Sequence, residues 1–335
     1  MAAAEFHTYQ AIGMREDLSN TIYNIAPTET PVVSSIGKTK ATATLHEWQT
    51  DTLGAAANTA LQEGAVAAAF TAVPTVRATN RTQIMGKTVN VSGTLDAVDL
   101  AGRKTSTAYQ LAKAGQELKR DIEFAILGNI APVTSAAATA PKMASLQTWL
   151  RTNWTSVGTA SAGPTAPAAP AAPPGSAIRT KSLTGNTNAF TEASLKTAMK
   201  AAFNAGGTPT MLVVPPNQKV KVSAFAGIAA NRVSTPNAGT TTKAASIVGA
   251  ADVYLSDFGM LSVIPERFMT SDYAANNGEQ ALILDPTMLA LATLRPFQSN
   301  LLAKTGDAEM HQMLTEVTLQ VSNEAAHAIV ADLTA

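Results

Sequence analysis

Two Gly-Lys-Thr triplets, Gly37-Lys38-Thr39 and Gly86-Lys87-Thr88, are the nearest this chain comes to phosphate chemistry. A phosphate-binding loop needs a further glycine five residues before the first, so that backbone N–H groups curl around the anion. Val32 and Arg81 hold those positions, and both triplets sit at the edges of alternating segments, so they read as turns. His7, His46, His311 and His327 each stand alone, without metal-ligand spacing, and His46-Glu47 lacks the second histidine of a zinc-hydrolase helix. There is no cysteine, which removes disulfides, thiolate metal sites and cysteine nucleophiles together, and no Gly-x-Ser-x-Gly elbow. The acidic pairs Glu16/Asp17 and Asp121/Glu123 read as a helix start and a solvated helix face, not as an acid and its base. No catalytic, cofactor-binding or metal-binding residue is assigned, no cofactor is expected, and the chain reads as a protein that is not an enzyme.

The few aromatic and cationic side chains carry more. Trp48 stands near the end of an alternating segment, on the face of His46. Two readings of it stand: a cross-strand packing residue, or an anchor in a neighbouring subunit, since Trp and Arg are enriched among interface hot spots. Arg77 and Arg81 share one face of the returning strand. They are either solvated or paired with an acidic region of another copy.

The elements that must position these residues follow from the local patterns. Leu18, Ile22 and Ile25 have helical spacing that Pro27 ends; Thr30-Pro31 then read as N-cap and N1 of a second short helix with Gly37 past its end. From Lys38 to Trp48, small or apolar residues alternate with polar ones, and Thr75 to Val91 alternates again. Together they predict a long two-stranded excursion, which alone is marginal in water and needs a cover. Arg103 to Leu127 predicts the strongest helix, with Ala108, Leu111, Gly115, Leu118, Ile122 and Ala125 in one stripe. Lys113, Glu117, Lys119, Arg120, Asp121 and Glu123 fill much of the rest of that helix. The Pro/Ala tract within 158–175 cannot pack a core and reads as an extended surface loop. Beyond it come a helix over Phe190–Ala205, a buried strand at Thr210–Pro215, a helix from Asn217 to about Phe225, short strands near 252–256, 260–265 and 280–285, and the strands of the last forty residues.

A chain of 335 residues can bury a sizeable core, but only 14% of this one is charged and 5% aromatic. A soluble monomer usually carries more charge. Burial against copies of itself explains this; a genome rich in Ala codons gives the same composition. Charge is also uneven: Lys142 to Lys243 holds ten Lys or Arg against Glu192, and from Asp252 onward eleven acidic residues face Arg267, Arg295 and Lys304. Opposite-sign regions suit contacts between identical subunits, where charge guides register, or a contact within one subunit. The basic residues lack interleaved aromatics, which ranks a nucleic-acid groove last. No apolar run reaches the ~20 residues of a membrane span. No basic stretch precedes an apolar one at the start, so no signal peptide and no membrane partner are expected.

Several stretches, in order, resemble the major head (capsid) proteins of tailed phages with the Hong Kong 97-like fold. They are Ile12-Gly13-x-Arg15-Glu16-Asp17-Leu18, Ile25-x-Pro27-x-Glu29-Thr30-Pro31 and His46-Glu47-Trp48-Gln49-Thr50-Asp51. Val91-Ser92-Gly93-Thr94, Tyr109-Gln110-Leu111-Ala112 running on to Asp121-Ile122-Glu123, and Asn323-Glu324-Ala325-Ala326-His327 complete the set. Each is weak alone; together they are specific.

The resemblance implies an α+β chain with an N-terminal arm (1–37), an extended β-hairpin loop (38–91) and a peripheral domain (92–189) whose spine helix is 103–127 and whose Pro/Ala-rich insertion is 151–185. An axial domain (190–290) follows, and C-terminal strands (291–335) complete the peripheral domain. It implies pentamers and hexamers of one chain, building an icosahedral virion shell around double-stranded DNA inside the bacterial host cytoplasm. Lys40, Trp48, Arg77 and Arg81 would lie at subunit contacts of the extended loop, Arg232 and Lys243 at axial loops, and Lys113, Glu117 and Arg120 on the spine helix. Because the chain starts almost at the arm, scaffolding is expected from a separate protein, beside a portal and a possible decoration protein. Lys38, Lys40 and Lys87 lie in the excursion, but no crosslinking is expected of them. The alternatives are a shell protein of an encapsulin-like nanocompartment and, further off, an enzyme or a secreted adhesin.

Overall fold

The computed structural model describes residues 22, 25–66, 74–156, 189–225, 252–269, 280–304, 306–331 and 333–334. In chain order the elements are α1 (Pro31–Ser35), β1 (Gly37–Lys40), β2 (Leu45–Thr50), β3 (Val76–Arg81), β4 (Gln83–Ser92), α2 (Gly93–Ala97), α3 (Ser106–Leu127), α4 (Leu146–Trp149) and β5 (Trp154–Ser156). They continue with α5 (Glu192–Asn204), β6 (Met211–Val214), α6 (Pro216–Ser223), β7 (Val253–Ser256), β8 (Gly259–Pro265), β9 (Ala281–Leu284), β10 (Leu289–Leu301), β11 (Ala308–Val321) and β12 (Ala328–Ala331). The chain divides into two compact units, a larger one of Glu29–Gly86, Leu118–Gln298 and Leu314–Ala335, and a smaller one of Met1–Thr28, Lys87–Glu117 and Ser299–Met313.

The larger unit is organised by a six-stranded mixed sheet of order β5-β12-β9-β6-β8-β7. Its β6, β9 and β12 are four-residue runs buried at every position. Such continuous apolar runs mark strands covered on both faces. Among them β12 lies between β5, to which it is parallel, and β9, to which it is antiparallel. Helix α5 buries Leu195, Ala198, Met199 and Ala202, the i, i+3, i+4, i+7 stripe of an amphipathic helix. A Thr191/Ser194 capping box starts it, and Gly206, at φ +84°, follows its end. The next residue, Gly207, passes so close to Ala326 that a Cβ there would sit 2.4 Å from the Ala326 carbonyl oxygen.

Each of the two expected long strands is broken. Residues 38–48 divide into β1, which pairs in parallel with β10, and β2, which pairs antiparallel with β3 from Leu45↔Arg81 to Thr50↔Val76. Ala41, almost fully buried, ends β1 by donating its N–H to the Thr293 carbonyl. The return strand breaks at Thr82, whose N–H bonds to the Thr44 carbonyl. Even-numbered Ala78 and Asn80 are buried before the break, but odd-numbered Met85 and Val91 after it. A single inserted residue flips every later side chain to the other face.

In the smaller unit α3 starts at Ser106, three residues later than expected. The Asp96 carboxylate takes the Ser106 and Thr107 N–H groups and the Thr107 hydroxyl, and so fixes that start. The Thr107 hydroxyl, ahead of a smaller opposing desolvation and joined by the Thr107 and Ser106 N–H groups, holds the Asp96 carboxyl below the ordinary range. Gly102, at φ +77°, turns the chain before it.

Candidate subunit-contact elements

The β2–β3 ribbon is the element on which the expected contact residues converge. Trp48 is half-buried: its Nε1–H donates to the Val321 carbonyl at 3.0 Å, and its ring lies 5.4 Å from that of Trp149 and 5.6 Å from that of His46. His46 Nε2 meets Gln320 Oε1 at 3.1 Å. The root of the ribbon is thus docked on β11 and α4 of its own chain, a cover the sequence did not reveal. Of the two readings of Trp48, packing inside the subunit has its partners here, though from β11 and α4 and not across the ribbon.

Arg77 lies on the outer face, 3.6 Å from Glu47, with both side chains well exposed. Arg81 shares that face and has no ion pair among the described residues. Lys40 is exposed at the end of β1. Glu316, from the acidic C-terminal region, is already engaged: it takes the Thr82 hydroxyl at 2.6 Å and Arg295 Nε at 2.8 Å. Arg232 and Lys243, and the Pro/Ala tract, lie outside the described residues.

Two side chains that hold this region were missed from sequence. Asn80, 2% exposed, uses every hydrogen-bonding position of its amide. Its Nδ2 donates to Leu319 O at 2.7 Å and Ala144 O at 3.3 Å, and its Oδ1 accepts from Ala144 N at 2.9 Å and Arg81 N at 2.8 Å. The available signal was its place between Ala78 and Thr82, on the inward phase of the strand. Glu123 overturns the reading of Asp121/Glu123 as a solvated face: it is fully buried, and its two oxygens accept from Val32 N and Val33 N, each at 2.8 Å. Thr30, expected to cap α1, makes no side-chain cap; Glu123 does so instead. Ile126 and Leu127, three and four residues on, were the sign that Glu123 faces inward.

The expected spine-helix positions divide by unit. In the smaller unit Glu117 pairs with Lys113 at 3.9 Å and Lys87 at 3.7 Å, along a groove of about 370 Å³ that Asn90, Leu95 and Gln110 also line. In the larger unit Arg120 is half-buried, its guanidinium 5.5 Å above the Phe268 ring. One further buried group is His327, which sits where Asp285 N donates to its Nδ1 at 3.0 Å. Burial pushes its pKa down to about 4 against the opposing pull of Asp285. Among the described residues no group of His, Asp and Glu could hold a metal ion, and no helix is long and apolar enough to cross a membrane.

The whole length of the chain follows one known pattern: the model of the SU10 major capsid protein family matches residues 3–334. The chain belongs to this family. Membership makes it a structural capsid protein, as the resemblance implied. The major capsid protein of Escherichia phage Phieco32 is similar to it, 39% identical over 123 residues that make up 36% of this chain and 35% of that protein. The match thus spans about a third of that relative's length.

Solved structures agree in fold. A chain of the Cyanophage A-1(L) capsid asymmetric unit superimposes with a TM-score of 0.63 at 14% identity, covering 98% of this chain and 99% of that one. A Mycobacterium phage Cain chain gives 0.59 at 11% identity over 99% and 100%, and the capsid of a native GTA particle 0.57 at 14% over 98% and 97%. The SU10-family chain therefore has the mixed helix-and-sheet, Hong Kong 97-like fold of phage capsids.

Proposed function

We propose that this major capsid protein assembles as pentamers and hexamers into an icosahedral head around double-stranded DNA, with residues 51–66 lying across an adjacent copy. The observation that carries the reading is the state of that stretch. Every residue from 51 to 66 is exposed, and Leu53, Leu61 and Val66 are 99%, 78% and 91% exposed, while the ribbon leading into it is anchored by Trp48 and Asn80. Separate apolar residues on a surface are ordinary. Three nearly bare ones on a stretch with no secondary structure, held out by a fixed root, favour a cover from another subunit.

Arg77 and Arg81 of the ribbon and Lys40 at the end of β1 remain the extended loop's candidates for contact with that neighbour, and Arg232 and Lys243 those of the axial loops. The outer face of the β7–β8 hairpin adds an apolar candidate. Leu255 pairs with Met260 there, and with Val253 they stay more than half exposed. The domain limits expected from sequence, a separate scaffolding protein, a portal, a decoration protein and assembly in the host cytoplasm belong to the same reading. Electron microscopy of the expressed chain tests it. Closed particles or rings are expected from wild type and neither from a Leu53→Asp/Leu61→Asp double variant of unchanged melting temperature. A discrete monomer or dimer under all conditions would sink it. A nucleic-acid absorbance signature in native particles separates a DNA-filled head from an enzyme-filled compartment.

A further inference from the structure

The capsid role leaves unused a pair of acidic side chains in the interior. Glu123 of α3 is 0% exposed and Glu266, just after β8, is 1% exposed, and the two carboxyls lie close enough to share a hydrogen bond. Their surroundings differ. Both Glu123 oxygens accept backbone N–H groups, from Val32 and Val33, which pull toward the ionised form against its burial. Glu266 Oε1 accepts from Phe268 N at 3.0 Å, whereas Oε2 meets no donor. With both carboxyls buried and side by side, one proton held between them removes the second of the two like charges.

We propose that Glu123 and Glu266 form a one-proton clamp: with the proton shared, the pair holds residues 31–33 onto α3, and when the proton leaves, two buried like charges loosen that hold. The N-terminal arm would then be tethered in a pH-dependent way, independently of how subunits contact one another.

The groups facing the pair do not neutralise it. Glu29, ahead of α1, adds a further negative charge. Arg267 contributes its backbone N–H. Arg120, one turn before Glu123 on α3, spends its guanidinium over the Phe268 ring. Among the described residues neither carboxyl has an ion pair. Burial is the main force on both groups and pushes both up; for Glu123 the Val33 and Val32 N–H groups pull back, Glu266 pushes further up, and the result is about 7. The proton thus leaves near neutrality, within the range a cell or an assembly buffer spans.

Hydrogen exchange on the full chain, corrected for intrinsic rates, tests the clamp between pH 5 and 9. Protection of the peptide bearing Val32 and Val33 is expected to hold up to about pH 6.5 and then fall by up to about tenfold per unit above pH 7, while residues 281–284 stay protected. Glu266→Gln keeps a hydrogen-bond donor toward Glu123 without the second charge, so its protection should remain flat to pH 9. Infrared spectra of the wild type add a readout that needs no variant: a protonated-carboxyl band should persist above pH 6 and fade in step with the protection. Flat wild-type protection, a slope that survives in Glu266→Gln, joint loss of protection at 281–284, or absence of the band at pH 6 would each overturn the proposal.

Discussion

The side chain of Asn80 pairs with the backbone of Ala144 in both directions, accepting from its N–H at 2.9 Å and donating to its carbonyl at 3.3 Å. An amide used this way acts as one more rung of backbone. It ties β3 to the chain ahead of α4 and, through Leu319 O, to β11. Asn80→Ala would strand buried N–H and C=O groups and should cost about 3 kcal/mol in urea unfolding. Asn80→Asp should cost no less, because it aims a carboxylate oxygen at two carbonyls.

Trp48 and Arg77 should separate stability from assembly. Trp48→Phe keeps the ring against Trp149 but forfeits the bond to Val321, a loss of about 1 kcal/mol. Trp48→Ala should lose about 2–3 kcal/mol and impair assembly as a consequence. The exposed Arg77–Glu47 pair contributes less than about 0.5 kcal/mol. Arg77→Ala and Arg81→Ala should therefore leave thermal melting in place while lowering the yield of particles seen by light scattering. Equal loss of both in these two variants would mean that the arginines serve the fold.

His327 fixes a pH dependence whose sign can be worked out. Its folded pKa, about 4, lies below the ordinary 6.5, so the unfolded chain binds the extra proton first as pH falls. The resulting stability is complete above about 6.5 and is lost through pH 4, amounting to about 3 kcal/mol. His327→Asn offers an oxygen to Asp285 N without a titrating ring. Its urea midpoint should lie below that of wild type at pH 7.5 and approach or pass it by pH 4.5.

Gly207 tests the close approach to Ala326. A Cβ at 2.4 Å from a backbone oxygen has nowhere to go, so Gly207→Ala should cost about 3 kcal/mol. Gly206→Ala meets no neighbour within 4 Å and pays only for its positive φ, about 1–2 kcal/mol. Thermal melts of the two adjacent variants therefore distinguish a clash from backbone strain.

What could be read from sequence was local. The amphipathic stretch 190–205 announced α5, and the apolar run at 211–214 announced β6, each within two residues, because their signals lie within a few turns of chain. Glu123 could not be read the same way. A charged residue on a mostly charged helix face is ordinarily solvated, and its partners at Val32 and Val33 lie some ninety residues away. The break at Thr82 was hidden for a related reason: alternation continues on both sides of it, and only the pairing with Thr44 reveals the change of phase. Trp48 announced that it needed a partner without naming Trp149 and Val321.

The placing of β12 between β5 and β9 has a consequence in time. Until residues 328–331 emerge from the ribosome, β9 presents an open edge, and β5 has no strand to pair with. An incomplete chain therefore cannot close its central sheet, and a bare edge of that kind invites pairing with other chains. Synthesis of β12 works as a licence: the central sheet closes, and a surface able to join a lattice is finished, only after residues 328–331 have been made.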